Sequence, residues 1–438
     1  MEKRVWIEKI VNRGMGLGYD QEAKVVFVPY TAVGDEVIVE ITKSKKRYDI
    51  GQIKKFIKKS EERIEPNCSF FTKCGGCHFL HIPYEKELEY KKLIVENIIK
   101  REVNNVIPSI EFNYRNKATF HADYRSSRLK LGFYMASSNR VINIDKCPLL
   151  INTINYTKNI IESLNIPHLD RVVIRTSHDG KKLLVNLIGE KKHKDYIKKI
   201  IKTQYNIIFD HIIRNYASEK GVSEDKYMEF YNDFNLVFYF NSKPIDEKKS
   251  TIKTEFLNKK FFLTSNDFFQ TNYYIGEKMF SFIYNFVKDN IEYKKLLIDG
   301  YSGSLTIGII LSELFEEVIG IEQNPSNIFL AEKNIKENNI NNAKIIQKDF
   351  RDYIKQLSFK QSKGNILVLD PPREGVGKDI KYLDRYPLDY IIYISCDPMT
   401  SYRDINYLQN YKIEKVLIFD MFPRTFHIEV LYILKRII

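Results

Sequence analysis

Cysteine is scarce in this sequence, with five in 438 residues. So small and odd a number excludes a disulfide scaffold and leaves metal binding or catalysis as its use in a reducing compartment. No stretch stays apolar for the length of a membrane span. The first residues, Met1-Glu2-Lys3-Arg4-Val5, hold no apolar signal region, so the expectation is a cytoplasmic protein with no membrane partner. Acidic residues are outnumbered, 56 against 69 Lys and Arg, for a net charge of +13. A Lys-rich composition explains part of that excess, and a polyanionic partner such as nucleic acid explains it as well. Also missing is a full glycine-rich phosphate cradle, which argues against a dinucleotide cofactor. What is present, 44% hydrophobic and 13% aromatic residues, fits a globular protein of two or three domains.

Two apolar runs organise the rest. Ile366-Leu367-Val368-Leu369 runs into Asp370-Pro371-Pro372-Arg373, and Tyr390-Ile391-Ile392-Tyr393-Ile394 runs into Ser395-Cys396-Asp397-Pro398. A short β-branched run cut off by a polar residue and proline is the pattern of a strand buried on both faces. Ligands of open α/β sheets sit at the carboxyl ends of strands. Asp370 and Cys396 are therefore expected to face one crevice, and a carboxylate beside a thiol suggests covalent chemistry. Leu296–Asp299 reads as a strand followed by the turn Gly300-Tyr301-Ser302-Gly303-Ser304 and a helix from Leu305. Glu322 ends the next strand and Asp349 follows the one after, placed for ribose hydroxyls and an adenine amino group. Adenosine without phosphate fits S-adenosylmethionine.

The first 59 residues read as short strands with basic loops, a small OB-like β-barrel of the kind that grips RNA. Residues 60–258 read as a central α+β domain, and 259–438 as a Rossmann-like catalytic domain. Cys68, Cys74 and Cys77 are spaced Cys-x5-Cys-x2-Cys, and Cys147 stands apart. Four thiolates suit a tetrahedral zinc or an iron–sulfur cluster, with His78 and His81 as further candidate zinc ligands. A helix is expected near Tyr402–Tyr407 and a last strand over His427–Ile433. On spacing alone, Glu429 in that strand points to solvent; turned into the crevice it would be desolvated and basic.

Taken together, the basic barrel, the four cysteines, Asp-Pro-Pro-Arg at 370–373, Ser-Cys-Asp-Pro at 395–398 and His-Ile-Glu at 427–429 resemble the S-adenosylmethionine-dependent RNA uracil-5 methyltransferases over almost the whole chain. The resemblance implies a TRAM barrel, a class I methyltransferase domain and a 23S rRNA uridine as substrate. Cys396 matches the nucleophile, Glu429 the general base, and Asp370 a residue bridging uracil and cofactor. Gln270, Tyr301, Thr306, Glu322, Asp349 and Asp370 fall at cofactor positions. Cys68, Cys74, Cys77 and Cys147 match ligands of a [4Fe-4S] cluster, which moves the metal reading from zinc to iron–sulfur. A monomer with no obligate protein partner is expected. Phe268 and Phe269 are aromatic neighbours available to stack on an extruded base, core packing being the alternative. One departure is Leu305, where the family usually has glycine and where a branched side chain would crowd the methionine end of the cofactor. Arg373 and Arg403 are the cations available to lower the pKa of Cys396. Competing readings are a tRNA m5U enzyme, an amino-group methyltransferase using Asp370-Pro371-Pro372, and a non-enzymatic RNA-binding protein.

Overall fold

The computed structural model describes residues 1–246, 250–265, 267, 269–356 and 363–437. Strands β1 (Glu2–Val11), β2 (Met15–Tyr19), β3 (Val25–Pro29), β4 (Glu36–Ser44) and β5 (Tyr48–Lys58) close into a barrel in the order β1-β2-β3-β5-β4. Alternate residues Val5, Ile7, Val26, Val28, Val37 and Val39 are buried, so the period-two pattern fills the barrel and leaves its basic residues outside.

Helix α1 (Tyr84–Ile99) and β6 (Asn105–Ile107) follow the cysteine loop. The next strands are β7 (Lys117–Asp123), β8 (Lys130–Tyr134), β9 (Val141–Asn143), β10 (Leu169–Thr176), β11 (Lys182–Gly189), β12 (Asn235–Phe240) and β13 (Lys243–Pro244). They form one sheet, β13-β12-β11-β10-β7-β8-β9. Helices α2 (Asn152–Ser163), α3 (Lys194–Glu219) and α4 (Glu224–Asn232) accompany this sheet, and α2 and α3 supply buried residues to its core.

After the hairpin β14 (Ile252–Phe256) and β15 (Lys259–Leu263) come α5 (Tyr273–Asn290), β16 (Leu296–Gly300), α6 (Thr306–Leu311), β17 (Glu317–Glu322), α7 (Pro325–Glu337) and β18 (Ala343–Gln347). The chain ends with α8 (Phe350–Gln356), β19 (Asn365–Leu369), β20 (Tyr390–Ser395), α9 (Pro398–Ile405), β21 (Tyr411–Phe419) and β22 (Glu429–Arg436). The resulting sheet has the order β18-β17-β16-β19-β20-β22-β21-β6. Every residue of β19 and β20 is buried, as two-sided packing of a parallel sheet requires. Each fully buried aliphatic side chain there contributes roughly 1.5–3 kcal/mol.

Three sequence expectations shift. Strand β22 begins at Glu429 rather than at 427. Helix α9 begins at Pro398, directly after the cysteine, because Asp397 caps it: the carboxylate accepts from the N–H groups of Met399 and Thr400 at 2.9 and 3.2 Å. Strand β6, which falls in the 60–258 segment, joins the C-terminal sheet, pairing parallel with β21 with Val106 opposite Ile418, and α1 before it packs against α9.

Candidate active site

Register puts the candidate residues on one edge. Leu369 pairs with Tyr393 and Ser395 with Val430, so Asp370, Cys396 and Glu429 emerge at the same end of three adjacent strands. Gly300 is level with Ile321 and with Leu369, which lines Tyr301 and Glu322 up with Asp370. Glu322 in turn pairs with Gln347, two residues before Asp349.

The three central groups feel one another strongly. Burial, then Glu429 and Asp370, push the Cys396 thiol up to about 12, while Arg373 pulls it down. Burial and the Asp370 charge push Glu429 well above the ordinary carboxylate range, and burial raises Asp370 likewise. Glu429 is buried, not solvent-facing. Of the two candidate cations, Arg373 reaches this cluster and also lies 3.4 Å from His427 Nδ1. Arg403 is taken up by Asp404 and the Glu374 carbonyl.

The loop after β16 carries the second half of the site. Glu322 accepts from the Gly303 N–H at 2.9 Å and from the Asn324 N–H at 2.7 Å, so loop and strand tip are tied. Tyr301 takes a left-handed φ of 60° and lies 5.0 Å from the Phe350 ring. Asp349 accepts from the Arg351 N–H and side chain. Gln270 and Thr271 are held through their carbonyls by Asn116, and Thr306 lies 3.3 Å from Ser304 Oγ. Asp299, two residues before Tyr301, is pushed up to about 7 by burial; its place at a strand end was visible, its burial was not.

Leu305 does not crowd this face. It is fully buried, and its Cδ1 lies where side chains at Gly308 and Gly320 would stand. Its φ is 62°, the conformation that glycine adopts freely. Phe269 is buried against Phe256 and Phe261, so core packing is its role; Phe268 lies outside the described residues.

A buried ionic cluster fixes the approach to Glu429. Lys91 bonds Glu87 at 2.7 Å and Asp420 at 2.6 Å, and the Arg424 N–H donates to Glu87 at 2.7 Å. The Arg424 carbonyl accepts from His78 and Phe79, joining the cysteine loop to the same segment. Cys68, Cys74, Cys77 and Cys147 line one cavity of about 590 Å³, with Arg115 among its walls. Backbone N–H groups of Gly76 and of Leu149 and Leu150 face Cys74 and Cys147, whose thiols, like that of Cys77, are raised first by burial and further by neighbouring thiols. Among the described residues, no three or more His, Cys, Asp or Glu side chains form a group that could hold a metal ion. His78 and His81 are instead in ring contact with Phe426 and Phe71.

A larger cavity, about 1310 Å³, runs from the barrel past the cysteine loop to Cys396 and His427. Among the described residues no helix is long and apolar enough to cross a membrane.

The architecture is that of a class I methyltransferase fold behind an N-terminal barrel. A family model described as tRNA (Uracil-5-)-methyltransferase matches residues 240–437, and a TRAM domain model matches residues 1–54. A Fusobacterium nucleatum protein named as an uncharacterized RNA methyltransferase is 31% identical over 425 residues, 91% of this chain and 88% of its own. One from Thermotoga maritima with the same description is 29% identical over 427 residues, 92% and 91% of the two chains. The crystal structure of Pyrococcus abyssi tRNA (uracil-54, C5)-methyltransferase with S-adenosyl-L-homocysteine superposes with a TM-score of 0.70 at 24% identity, covering 98% of this chain and all of that one. The chain belongs to the RNA uracil-5 methyltransferase family with a TRAM domain.

Proposed function

We propose that this protein methylates C5 of a uridine in 23S rRNA, with Cys396 as nucleophile, Glu429 as base and Asp370 holding the ring. The observation that carries the reading is the convergence of a thiol and two carboxylates of raised pKa at one strand edge. Uracil C5 is a poor nucleophile. Cys396 Sγ loses its proton to solvent and adds to C6 as thiolate, which moves the electron pair of the C5–C6 bond to C5 and activates it. After methylation, Glu429 takes the C5 proton and the C6–S bond breaks, restoring the double bond and the thiolate. A carboxylate of raised pKa is suited to accept that proton.

S-adenosylmethionine, when bound, supplies the methyl group. Glu322, which keeps lone pairs free for ribose hydroxyls, and Asp349 at the next strand tip support its binding, and we assign Gln270, Tyr301, Thr306 and Asp370 to it as well. Cys68, Cys74, Cys77 and Cys147 do not stand as a ready ligand group among the described residues; we propose that they draw together around a [4Fe-4S] cluster. Four thiols on one cavity, N–H groups aimed at sulfur and a neighbouring Arg115 favour such an anionic centre. Anaerobically purified protein should then carry about four irons per chain, and Cys147→Ser should lower that content. We divide the chain at 1–59, 60–258 and 259–438, with α1 and β6 packed on the third unit, and assign it as a monomer acting in the cytoplasm.

A tRNA substrate is the second reading, favoured by the family model described as tRNA (Uracil-5-)-methyltransferase. The test offers both RNAs. Unmodified 23S rRNA and unmodified bulk tRNA are incubated with the protein and S-adenosylmethionine, then digested to nucleosides. Methyl label in 5-methyluridine from 23S rRNA supports the reading. Label from tRNA alone moves the substrate, and label on an exocyclic amine overturns the chemistry.

A further inference from the structure

Three separate parts of the chain bring aromatic rings to the 1310 Å³ cavity. Tyr30 comes from the barrel, Phe71 and His78 from the cysteine loop, and Phe426 and His427 from the segment before β22. All five are half-buried. The rings form a continuous wall: Tyr30 to Phe71 at 5.4 Å, Tyr30 to His78 at 6.3 Å, His78 to Phe426 at 4.4 Å, and Phe426 to His427 at 4.4 Å. The wall therefore leads from the barrel to the residues beside the nucleophile.

Within this wall, Tyr30 and His78 are the most nearly parallel pair. They are parallel to within 8°, with their centroids 6.3 Å apart. Both rings line the cavity and are only partly buried, so each presents ring surface on which a further flat group can stack. Tyr30 also holds a left-handed φ of 62°, which costs a residue with a side chain on the order of 1 kcal/mol. The cavity exceeds the ~300–1,000 Å³ of a small-molecule pocket, so one nucleotide does not account for it. Exposed Arg13, Lys55 and Lys73 line it as well, and cations around aromatic rings are what a single strand of nucleic acid needs.

We propose that Tyr30, His78 and Phe426 form a second base subsite, which stacks an unpaired base adjacent to the target uridine. The substrate is then a single-stranded segment with at least two neighbouring unstacked bases, and the barrel takes part in holding a base as well as the backbone. This rests on the proposed uridine reading for what sits at Cys396, but not on methyl transfer.

The test uses the full chain without methyl donor and a single-stranded RNA nonamer with one central uridine. 2-Aminopurine replaces the base on its 5′ side in one probe and on its 3′ side in another. Stacking quenches the fluorophore, so one flank should be quenched on binding. Tyr30→Phe should keep that quenching. Tyr30→Leu, which retains apolar bulk without a flat ring, should lose it and weaken binding about tenfold, within the range of one base stack. Quenching that is absent at both flanks, or unchanged in Tyr30→Leu and Phe426→Ala, overturns the subsite. Quenching by a protein that forms no 5-methyluridine in 23S rRNA or tRNA once S-adenosylmethionine is supplied would overturn the methylation reading and leave the subsite standing.

Discussion

Burial, Glu429 and Asp370 hold the Cys396 thiol near 12 in the free protein, so at neutral pH it carries its proton. Arg373 is the one counteracting charge among the named influences, and its contact with His427 keeps it at the site. Under the proposed mechanism, Cys396 then becomes a thiolate on assembly with substrate and is not stored as one. Alkylation of Cys396 by iodoacetamide, followed on its own peptide, should keep rising with pH from 7 to 10 instead of levelling near 8.5, the ordinary thiol value. Removing the positive charge by Arg373→Ala raises the thiol pKa further, so alkylation at pH 9 should fall several-fold, with Arg373→Lys in between. A plateau below pH 9, or no effect of Arg373→Ala, would count against this electrostatic account. Cys396 and Asp370 were legible because each ends a wholly apolar strand at a proline. Glu429 was legible only through the family resemblance, since an acid between Ile428 and Val430 reads locally as solvent-facing; its burial comes from β20 and β21 packed on either side.

At the scale of elements, the β16 loop decides whether the cofactor face is open. Leu305 turns inward because Gly308 and Gly320 leave a slot for it. An alanine at 320 would collide with Leu305 Cδ1 and crowd Ser302 Oγ, 3.0 Å away. Gly320→Ala should therefore cost about 1–3 kcal/mol in urea unfolding. In a Leu305→Ala background that cost should shrink, and the cycle measures the coupling; an undiminished cost would place the strain elsewhere. The inward turn of Leu305 was not legible because Gly320, which makes room for it, lies 15 residues away on another strand. For the same reason β6 escaped notice: three residues carry no periodicity, and its partner β21 is some 310 residues downstream. The helix expected near Tyr402–Tyr407 starts earlier, at Pro398, because Asp397 caps it and proline takes the first helical position.

At the scale of the molecule, barrel, cysteine loop and catalytic edge surround one basic cavity. The composition had shown the charge and the sequence had shown the barrel, but not that rings from residues 30, 78 and 426 meet. RNA affinity should fall steeply with salt, as release of counterions demands. Replacing Arg13, Lys55 and Lys73 together with Gln should reduce the slope of log affinity against log salt by about 2–3, since each phosphate no longer neutralised lowers it by up to ~1. An unchanged slope would move the RNA off this face.

The covalent step is tested most directly by a trap. Wild type and Cys396→Ala are incubated with S-adenosylmethionine and either 23S rRNA or tRNA carrying 5-fluorouridine. Fluorine at C5 leaves Glu429 no proton to remove, so the adduct cannot resolve. A denaturation-resistant protein–RNA species on wild type alone, mapping to one uridine, is the predicted result. Methylation of ordinary RNA by wild type with no trapped species on either protein would contradict the role given to Cys396.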